Sequence, residues 1–382
     1  MGQSEESNGE ARRLAAIAAC ERVLANPPRP SIAERLARLV QEGSEAYDTS
    51  GPVDMYGDEE GVVGELERRT AELLGTEAAA YFPTGTMAQQ VALRSWAGRT
   101  GNPLVALHPL AHPEMYERDA LSVLTGLRTV HPTRDPRMPS AEEVADLDEP
   151  FGALMLELPL RVAGYVLPTW EELTDTVKAA RERDAVVHFD GARLWECPTH
   201  FGHTLQEIAG LADSVYVSYY KSLDGISGAA LAGSADFVAE AKAWRHRYGG
   251  QVFMQFPAVL SALAGLRNEL PRLPSYVAHA QVVARALREG LAEGGATWPR
   301  TYPDAPHTHQ FQVWLPYAED VLNQAALEQA EERRESLFGR YQFFEPRIPG
   351  LSMLEMTVGP ESLEWTEADV RAAAADFARR LP

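Results

Sequence analysis

Short apolar strand patterns alternate with helical patterns along residues 78–247, and this alternation limits the possible folds more than any other feature of the sequence. The strand patterns lie at residues 78–82, 104–107, 128–130, 153–156, 186–189 and 215–219. Alternation at this spacing predicts an α/β fold whose sheet is mostly parallel and covered by helices on both faces. Ligands of such sheets bind beyond the carboxyl ends of the strands, so the residues after each strand are the first candidates for a site.

The chain has 382 residues, which is enough for one large domain and a smaller one. A long helical region is interrupted near Pro274, and the strands and helices after it indicate an α+β unit. We therefore predict an N-terminal arm with helices over residues 1–45, a large domain over residues 46–274 and a small C-terminal domain over residues 275–382.

The charge and the cysteine content exclude several classes of protein. A formal net charge of −20 argues against nucleic acid and anionic membranes as partners, because both require basic patches. No apolar run is long enough to span a bilayer, and residues 1–10 lack the pattern of a signal peptide. Cys20 and Cys197 are the only cysteines, and the spaced pair His307 and His309 has no evident third ligand. We expect a cytoplasmic protein without a metal site.

A lysine follows the last of these strand patterns. Residues 215–219 alternate as a strand with two unlike faces does, Lys221 comes where the pattern ends, and Gly225 and Gly228 follow. Burial lowers the pKa of an amine, and a neutral amine forms a Schiff base with an aldehyde. A lysine that reaches from the strand end into water is equally compatible with this pattern.

The segment Phe82-Pro83-Thr84-Gly85-Thr86 joins a strand to a helix. Gly85 permits a tight turn, and Thr84 and Thr86 place hydroxyl groups at the first turn of the helix. Free N–H groups and the helix dipole make such a helix start a phosphate-binding site. An ordinary strand–helix turn with a threonine cap explains the same residues.

Asp190 and Arg193 follow another apolar strand in Val187-His188-Phe189-Asp190-Gly191-Ala192-Arg193. A carboxylate at such a position needs a cationic partner. Arg193 itself could be that partner in a purely structural pair. Alternatively, Asp190 pairs with a protonated heterocyclic nitrogen and Arg193 binds a substrate carboxylate with both arms of its guanidinium group.

Taken together, these residues match the requirements of pyridoxal 5'-phosphate. Its phosphate needs a helix N-terminus, its ring nitrogen needs a carboxylate and its aldehyde needs a lysine. We therefore predict pyridoxal 5'-phosphate as the cofactor. His112, which precedes a helix, is by itself equally compatible with a cap or a surface position.

Several segments resemble the threonine aldolase and β-eliminating lyase family of fold-type-I pyridoxal-phosphate enzymes, and the resemblance runs from about residue 56 to about residue 250. These segments are Tyr56-Gly57-Asp58, Glu65-Leu66-Glu67, Thr84-Gly85-Thr86-Met87-Ala88, Asp190-Gly191-Ala192-Arg193-Leu194-Trp195 and Lys221 with its glycines. The resemblance implies the transferase-like fold of that family, with a large cofactor-binding domain and a small domain. It also implies a homodimer or homotetramer.

The same resemblance implies a role for individual residues. Lys221 would carry the cofactor, Asp190 would hold the pyridine nitrogen, and Arg193 would contact the phenolic oxygen and the substrate carboxylate. His112 would stack on the ring, and Tyr56 would reach the site of a neighbouring subunit. The phosphate would be bound by Thr84, Gly85 and Thr86.

The chain departs from the family's pattern at several positions. Leu158-Pro159-Leu160-Arg161 follows Glu157 where the family often reads Asn-Thr-His-Asn, Ser222 replaces the usual glycine, and Asp224 stands where a small residue is common. No arginine occurs at Ser352–Met353, where a second carboxylate-binding arginine is expected. Arg161 or Arg347 could take its place.

The predicted function is cleavage of the Cα–Cβ bond of a small β-hydroxy-α-amino acid, giving glycine and an aldehyde. Arg193 would fix the substrate carboxylate, and His112, through a water, would remove the hydroxyl proton. β- or γ-elimination, racemisation and transamination use the same cofactor and stay open, as does a non-catalytic member of the fold. A dinucleotide-binding protein is strongly disfavoured, because no Gly-x-Gly-x-x-Gly motif follows a strand.

Overall fold

A computed structural model describes residues 2–346 and 348–382 of the chain. They form two compact units, one made of residues 32–273 and the other of the residues up to 31 together with residues 274–382. The predicted domain boundaries stay a prediction, and the two units divide the predicted N-terminal arm between them. Arg347 lies outside the described residues.

The chain begins in the smaller unit with helix α1 (Gly2–Ala18) and strand β1 (Arg22–Val23). The larger unit contains the helices α2 (Ile32–Ala46), α3 (Val62–Leu74), α4 (Gly85–Thr100), α5 (His112–Tyr116), α6 (Ala120–Thr125), α7 (Ala141–Ala145), α8 (Trp170–Arg181), α9 (Pro198–Phe201), α10 (Leu205–Ala209), α11 (Ala235–Arg247) and α12 (Phe256–Asn268). Its strands are β2 (Ala78–Phe82), β3 (Leu104–Ala106), β4 (Arg128–Val130), β5 (Ala153–Glu157), β6 (Val186–Gly191), β7 (Ser214–Ser218) and β8 (Ala229–Gly233).

The strands of the larger unit form one sheet in the order β2-β8-β7-β6-β5-β3-β4. Every pairing is parallel except those of β8, which runs antiparallel to both β2 and β7. The predicted mostly parallel sheet is therefore confirmed. The strand predicted before Lys221 is β7, and every residue of β7 is buried, so both of its faces are covered.

Local sequence explains how the elements next to the site begin and pack. Thr84 caps α4, because its hydroxyl oxygen accepts the backbone N–H of Met87 at 3.3 Å. Between the two helices, Trp96 of α4 stacks on Phe237 of α11 with ring centroids 4.8 Å apart. This aromatic pair, with the small residues Ala88 and Ala92, fixes α4 against the strands.

The topology brings the predicted site residues to one edge of the sheet. Strands β5, β6 and β7 are parallel, so their carboxyl ends meet at that edge. Strand β2 is antiparallel to β8, which is antiparallel to β7, and β2 therefore ends at the same edge. The turn at Gly85 and the loop at Lys221 consequently lie at the same end of the strands.

The smaller unit continues with α13 (Leu273–Glu293), β9 (Arg300–Tyr302), β10 (Gln310–Leu315), α14 (Glu319–Arg333), β11 (Glu335–Ser336), β12 (Ser352–Thr357) and α15 (Glu367–Ala378). Strands β12, β10 and β9 form an antiparallel sheet. The N-terminal segment belongs to this unit because β1 pairs with β11 and the guanidinium of Arg12 binds Glu331 at 2.7 Å. No helix in the described part of the chain is long and apolar enough to cross a bilayer.

Candidate active site

Three side chains form a row across neighbouring strands at the carboxyl edge of the sheet. Glu157 of β5 is in register with Asp190 of β6, which is in register with Tyr216 of β7. Residues that are directly opposite in a sheet point to the same face, so the three side chains share one face. All three residues are buried.

The Asp190 carboxylate is almost unpaired within the protein. The residue is 1% exposed, and among the described residues its side chain accepts one hydrogen bond, from the Ala192 N–H at 3.1 Å. Burial, together with the negative charge of Glu157, raises the pKa of Asp190 to about 7. A carboxylate held in this way gains from a ligand that brings a proton or a positive charge.

The Lys221 amine faces this carboxylate from the loop after β7. Burial and the positive charge of Arg193 lower the pKa of Lys221 to about 8, and the charge of Asp190 acts in the opposite direction. Although the two groups act on each other electrostatically, no described contact brings the amine within 4 Å of the carboxylate. In the described chain the amine and the buried acid therefore act on each other electrostatically without forming an ion pair.

The loop that carries Lys221 is held on both sides. Ser222 donates a short hydrogen bond to the buried carboxylate of Glu196, and Ser227 donates to the Pro83 carbonyl at 2.9 Å. The second bond ties the lysine loop directly to the turn that starts α4. The serine in place of the family's usual glycine therefore has a specific partner in this chain.

The first turn of α4 has the features of an anion-binding site. Gly85 is buried, and a Cβ at this position would lie 2.9 Å from Cζ of Tyr216. The N–H groups of Gly85 and Thr86 have no acceptor within the described chain, while the Thr84 hydroxyl is already used as the cap. The free N–H groups, together with the positive end of a 16-residue helix, favour an anion such as a phosphate.

His112 is held by two glutamates. Its backbone N–H donates to Oε2 of Glu157 at 2.6 Å, and its Nδ1 lies 3.0 Å from Oε1 of Glu117. The other oxygen of Glu117 accepts a hydrogen bond from Gln90 of α4 at 3.0 Å. Since an ionised carboxylate only accepts hydrogen bonds, Nδ1 of His112 is the donor in this contact, and the contact leaves Nε2 available.

Arg193 is not paired with Asp190, because no ion pair within 4 Å joins them among the described residues. Its guanidinium instead lies over the ring of Tyr165, 5.2 Å from the centroid. The structural alternative of an Asp190–Arg193 pair is therefore not the arrangement found. Arg161 lies over the ring of Tyr116, 5.6 Å from the centroid, and its charge also lowers the pKa of Lys221.

Tyr56 is not brought to these groups within the described chain. It is 52% exposed, and its ring packs edge-on against Phe253 with centroids 5.2 Å apart. Its predicted role at a neighbouring subunit stays a prediction. Sequence reasoning assigned no role to Glu157 or Glu117, although the first directly follows a predicted strand and the second stands five residues after His112.

The model of one protein family, described as beta-eliminating lyase, matches residues 47–307 of this chain, which is more than half of it. The chain belongs to the beta-eliminating lyase family. The predicted family and the predicted class of enzyme, a lyase, are confirmed at this level.

Relatives of this beta-eliminating lyase family member include a low specificity L-threonine aldolase of Escherichia coli (strain K12). It is 31% identical over 246 residues, which cover 63% of this chain and 73% of the relative. A low-specificity L-threonine aldolase 1 of Arabidopsis thaliana is 28% identical over 236 residues, or 59% of this chain and 64% of the relative.

Solved structures resemble almost the whole chain. A putative L-allo-threonine aldolase from Listeria monocytogenes EGD-E has a TM-score of 0.87 at 30% identity, covering 97% of this chain and 99% of the other. A serine palmitoyltransferase from Sphingomonas wittichii has a TM-score of 0.63 at 17% identity, covering 90% and 82%, and shows the fold alone. The predicted fold type I is thereby confirmed.

Proposed function

We propose that the protein is a pyridoxal-phosphate-dependent lyase that cleaves the Cα–Cβ bond of a small β-hydroxy-α-amino acid into glycine and an aldehyde. The observation that carries the proposal is the arrangement of Lys221 and Asp190. An amine whose pKa is lowered and an acid whose pKa is raised share one edge of the sheet without forming an ion pair. Groups perturbed in this way are typical of reactive sites.

The residues present fit the cofactor. The nearly unpaired Asp190 carboxylate would hold its ring nitrogen, and Lys221 would hold its aldehyde carbon. The free N–H groups of Gly85 and Thr86 would hold its phosphate, with the Thr86 hydroxyl beside them. When bound, the cofactor supplies a ring that accepts the electrons released as a bond to Cα breaks.

The substrate would be bound and oriented by Arg193. Its planar guanidinium can take a carboxylate through two parallel hydrogen bonds, and the Tyr165 ring restricts its position. Arg161 adds positive charge to the same neighbourhood. Arg193 and Arg161 therefore supply the positive charge that a substrate carboxylate needs in a site that also contains the carboxyl groups of Glu157, Asp190 and Glu117.

His112 would act as the base for the β-hydroxyl proton, through a water. The Glu117 carboxylate fixes the proton on Nδ1 and leaves Nε2 to accept a proton from the substrate side. The positive charge that His112 then gains is stabilised by Glu117. A carboxylate that orients the histidine in this way is the partner that general-base catalysis uses.

The names of the relatives support the same reaction. The Escherichia coli and Arabidopsis thaliana proteins are named low-specificity L-threonine aldolases, and the Listeria protein is titled a putative L-allo-threonine aldolase. Substrate residues differ more than cofactor residues in this chain, so we propose β-hydroxy-α-amino acids as the substrate class and leave the β-substituent open.

The test is release of glycine by the purified protein, loaded with pyridoxal 5'-phosphate, from L-threonine and L-allo-threonine. We expect glycine and acetaldehyde in equal amounts, and no product from a Lys221→Ala variant. Keto acid and ammonia from serine or cysteine would instead favour β-elimination. Cofactor binding without turnover of any β-hydroxy amino acid would refute the proposed reaction.

We further propose a homodimer or homotetramer. Tyr56 lies with Val252, Phe253 and Met254 in an exposed apolar region at the large unit's surface. Apolar regions of this kind often mark interfaces. Analytical ultracentrifugation should give a species larger than one chain, and a Tyr56→Ser variant should weaken it. A monomer at micromolar concentration would contradict this proposal.

A further inference from the structure

Helix α5 begins at His112 without a cap from its own sequence. The residue before it is Ala111, whose side chain has no acceptor, and Pro113 has no N–H to offer. The exposed end of a helix normally needs an acceptor for its first N–H groups. That acceptor comes from another element, because the Glu157 carboxylate at the end of β5 takes the His112 N–H at 2.6 Å.

The second oxygen of the same carboxylate holds a second turn. Oε1 of Glu157 accepts the backbone N–H of Arg161 at 3.2 Å. Arg161 begins a tight turn in which its own carbonyl accepts the N–H groups of Gly164 at 2.9 Å and Tyr165 at 3.2 Å. Tyr165 is the residue beneath the Arg193 guanidinium, so this turn also supports the proposed carboxylate-binding side chain.

Glu157 thus stands between the two turns and in register with Asp190. We propose that Glu157 is a positioning residue, whose one carboxylate fixes His112 and Arg161 relative to Asp190. The inference rests on the proposed function, because it concerns residues of the same site. Glu157 touches neither reacting atom in this role and acts through the residues it holds.

The charge of Glu157 has a second effect on the same site. It raises the pKa of Asp190, against the opposing charges of Lys221 and His112 and the hydrogen bond from Ala192. It also favours the charged form of Lys221. A carboxylate whose only purpose was to cap a helix would not need to lie opposite another buried carboxylate, where the two repel each other.

The experiment compares Glu157→Gln with Glu114→Gln as a matched control. Glu114 lies on α5 as well, beside His131 at 3.6 Å, and takes no part in the proposed site. Gln at 157 keeps the length of the side chain, but its amide N–H2 would face an N–H donor. At least one of the two backbone hydrogen bonds is therefore lost, and the negative charge is removed.

The first measurement uses cofactor-free protein and does not depend on activity. Diethylpyrocarbonate modifies accessible histidine nitrogen, and peptide mass spectrometry gives the rate at His112. We expect this rate to rise on the order of tenfold to a hundredfold in Glu157→Gln, the factor that corresponds to one lost hydrogen bond to a charged group. Glu114→Gln should leave it unchanged.

The second measurement is the steady-state rate with a β-hydroxy amino acid. We expect kcat/KM to fall on the order of tenfold to a hundredfold in Glu157→Gln, because misplacement of a reacting group by a fraction of an ångström has effects of this size. Glu157→Asp keeps the charge but is too short to reach both N–H groups. It should therefore reproduce the change at His112.

Unchanged His112 reactivity in both folded Glu157 variants would overturn the inference. If neither variant folds, hydrogen exchange of the unaltered protein decides, since the amides of His112 and Arg161 must then exchange slowly, and rapid exchange at both contradicts the inference. If no β-hydroxy amino acid is cleaved but His112 becomes more reactive in the variants, the proposed reaction fails and the positioning role of Glu157 stands.

Discussion

His188 and Asp190 lie two residues apart on β6, point to the same face and are both buried, yet they differ in their hydrogen bonds and in the direction of their pKa shifts. His188 has a partner for each ring nitrogen, Ser214 at Nδ1 and Gln89 at Nε2, both at 2.8 Å. Burial lowers the pKa of His188 to about 3, so this ring stays neutral. Asp190 has a single hydrogen bond and a pKa raised to about 7.

This difference in hydrogen bonding distinguishes a structural residue from a functional residue on the same strand. A buried polar group whose hydrogen bonds are complete stabilises the fold and has no capacity left for a ligand. A buried group with incomplete hydrogen bonds costs stability, and a ligand can recover that cost. The position at the carboxyl end of the strand, next to the loops, decides which of the two residues a ligand can reach.

The largest expected effect is on activity. Asp190→Asn removes the anion opposite Lys221 while keeping the shape of the side chain. We expect kcat to fall on the order of a hundredfold to a thousandfold, as when one preorganised electrostatic contact is removed. The free energy of unfolding of the cofactor-free variant should not decrease. Activity within a few-fold of the unaltered enzyme would contradict the proposed role of Asp190.

The complementary change should affect stability and spare the chemistry. His188→Leu leaves the hydroxyl of Ser214 and the amide of Gln89 without their common partner. We expect the free energy of unfolding to fall by about 2–4 kcal/mol, measured by urea denaturation, because two buried groups become unsatisfied. The kcat of the folded fraction should be retained. A His188→Leu variant that is fully stable but inactive would contradict the structural role of His188.

The two groups should also oppose each other in the pH dependence of stability. Between about pH 4.5 and about pH 6.5 the folded state binds one proton more than the unfolded state at Asp190 and one fewer at His188. Asp190 therefore makes stability fall as pH rises, and His188 makes it rise. In cofactor-free protein the two contributions cancel.

Substituting either residue should reveal the pH dependence of stability that the other contributes. Relative to the unaltered protein, the free energy of unfolding of Asp190→Asn should rise with pH by up to about 1.4 kcal/mol per pH unit, and that of His188→Leu should fall by a similar amount. Urea denaturation at three pH values in this window measures both slopes. Equal slopes in all three proteins would show that neither pKa is perturbed.

The smallest expected effect concerns the outer partner of His188. Ser214 also accepts the indole N–H of Trp96 at 2.7 Å. Ser214→Ala removes a buried partner of both Trp96 and His188 and should lower the free energy of unfolding by about 1–3 kcal/mol without a change in kcat. Ser95→Ala is the matched control, because the buried Ser95 hydroxyl has no hydrogen-bond partner among the described residues and its removal should cost less. A larger loss in the control would refute this account.

Sequence reasoning found the residues that follow strands. Asp190 and Lys221 lie where apolar patterns end, and Gly85 lies where a strand passes into a helix, so local pattern and the general rule for parallel sheets suffice. The fold class follows from the same alternation. The two hydrogen bonds that hold His188 in the core have no signal in the sequence, because they depend on residues of β7 and α4.

Residues that act through tertiary contacts were not found. Glu157 has no local signal, because its importance comes from the register of β5 with β6 and from a helix start that lacks its own cap. Glu117 is recognisable only when Gln90 of α4 is placed beside it. The direction of β8 is likewise not encoded locally, since an apolar run of small residues is compatible with either orientation.

The place of β8 in the sheet has a consequence for synthesis on the ribosome. Strand β2 has β8 as its one hydrogen-bonded neighbour in the described sheet, and residues 83–228 separate the two in the chain. At typical translation rates, on the order of ten seconds therefore pass between the synthesis of β2 and the synthesis of β8. The proposed phosphate-binding turn is therefore synthesised well before strand β8. During this interval the nascent chain exposes an unpaired edge of β2, which can pair with other chains unless a chaperone binds it.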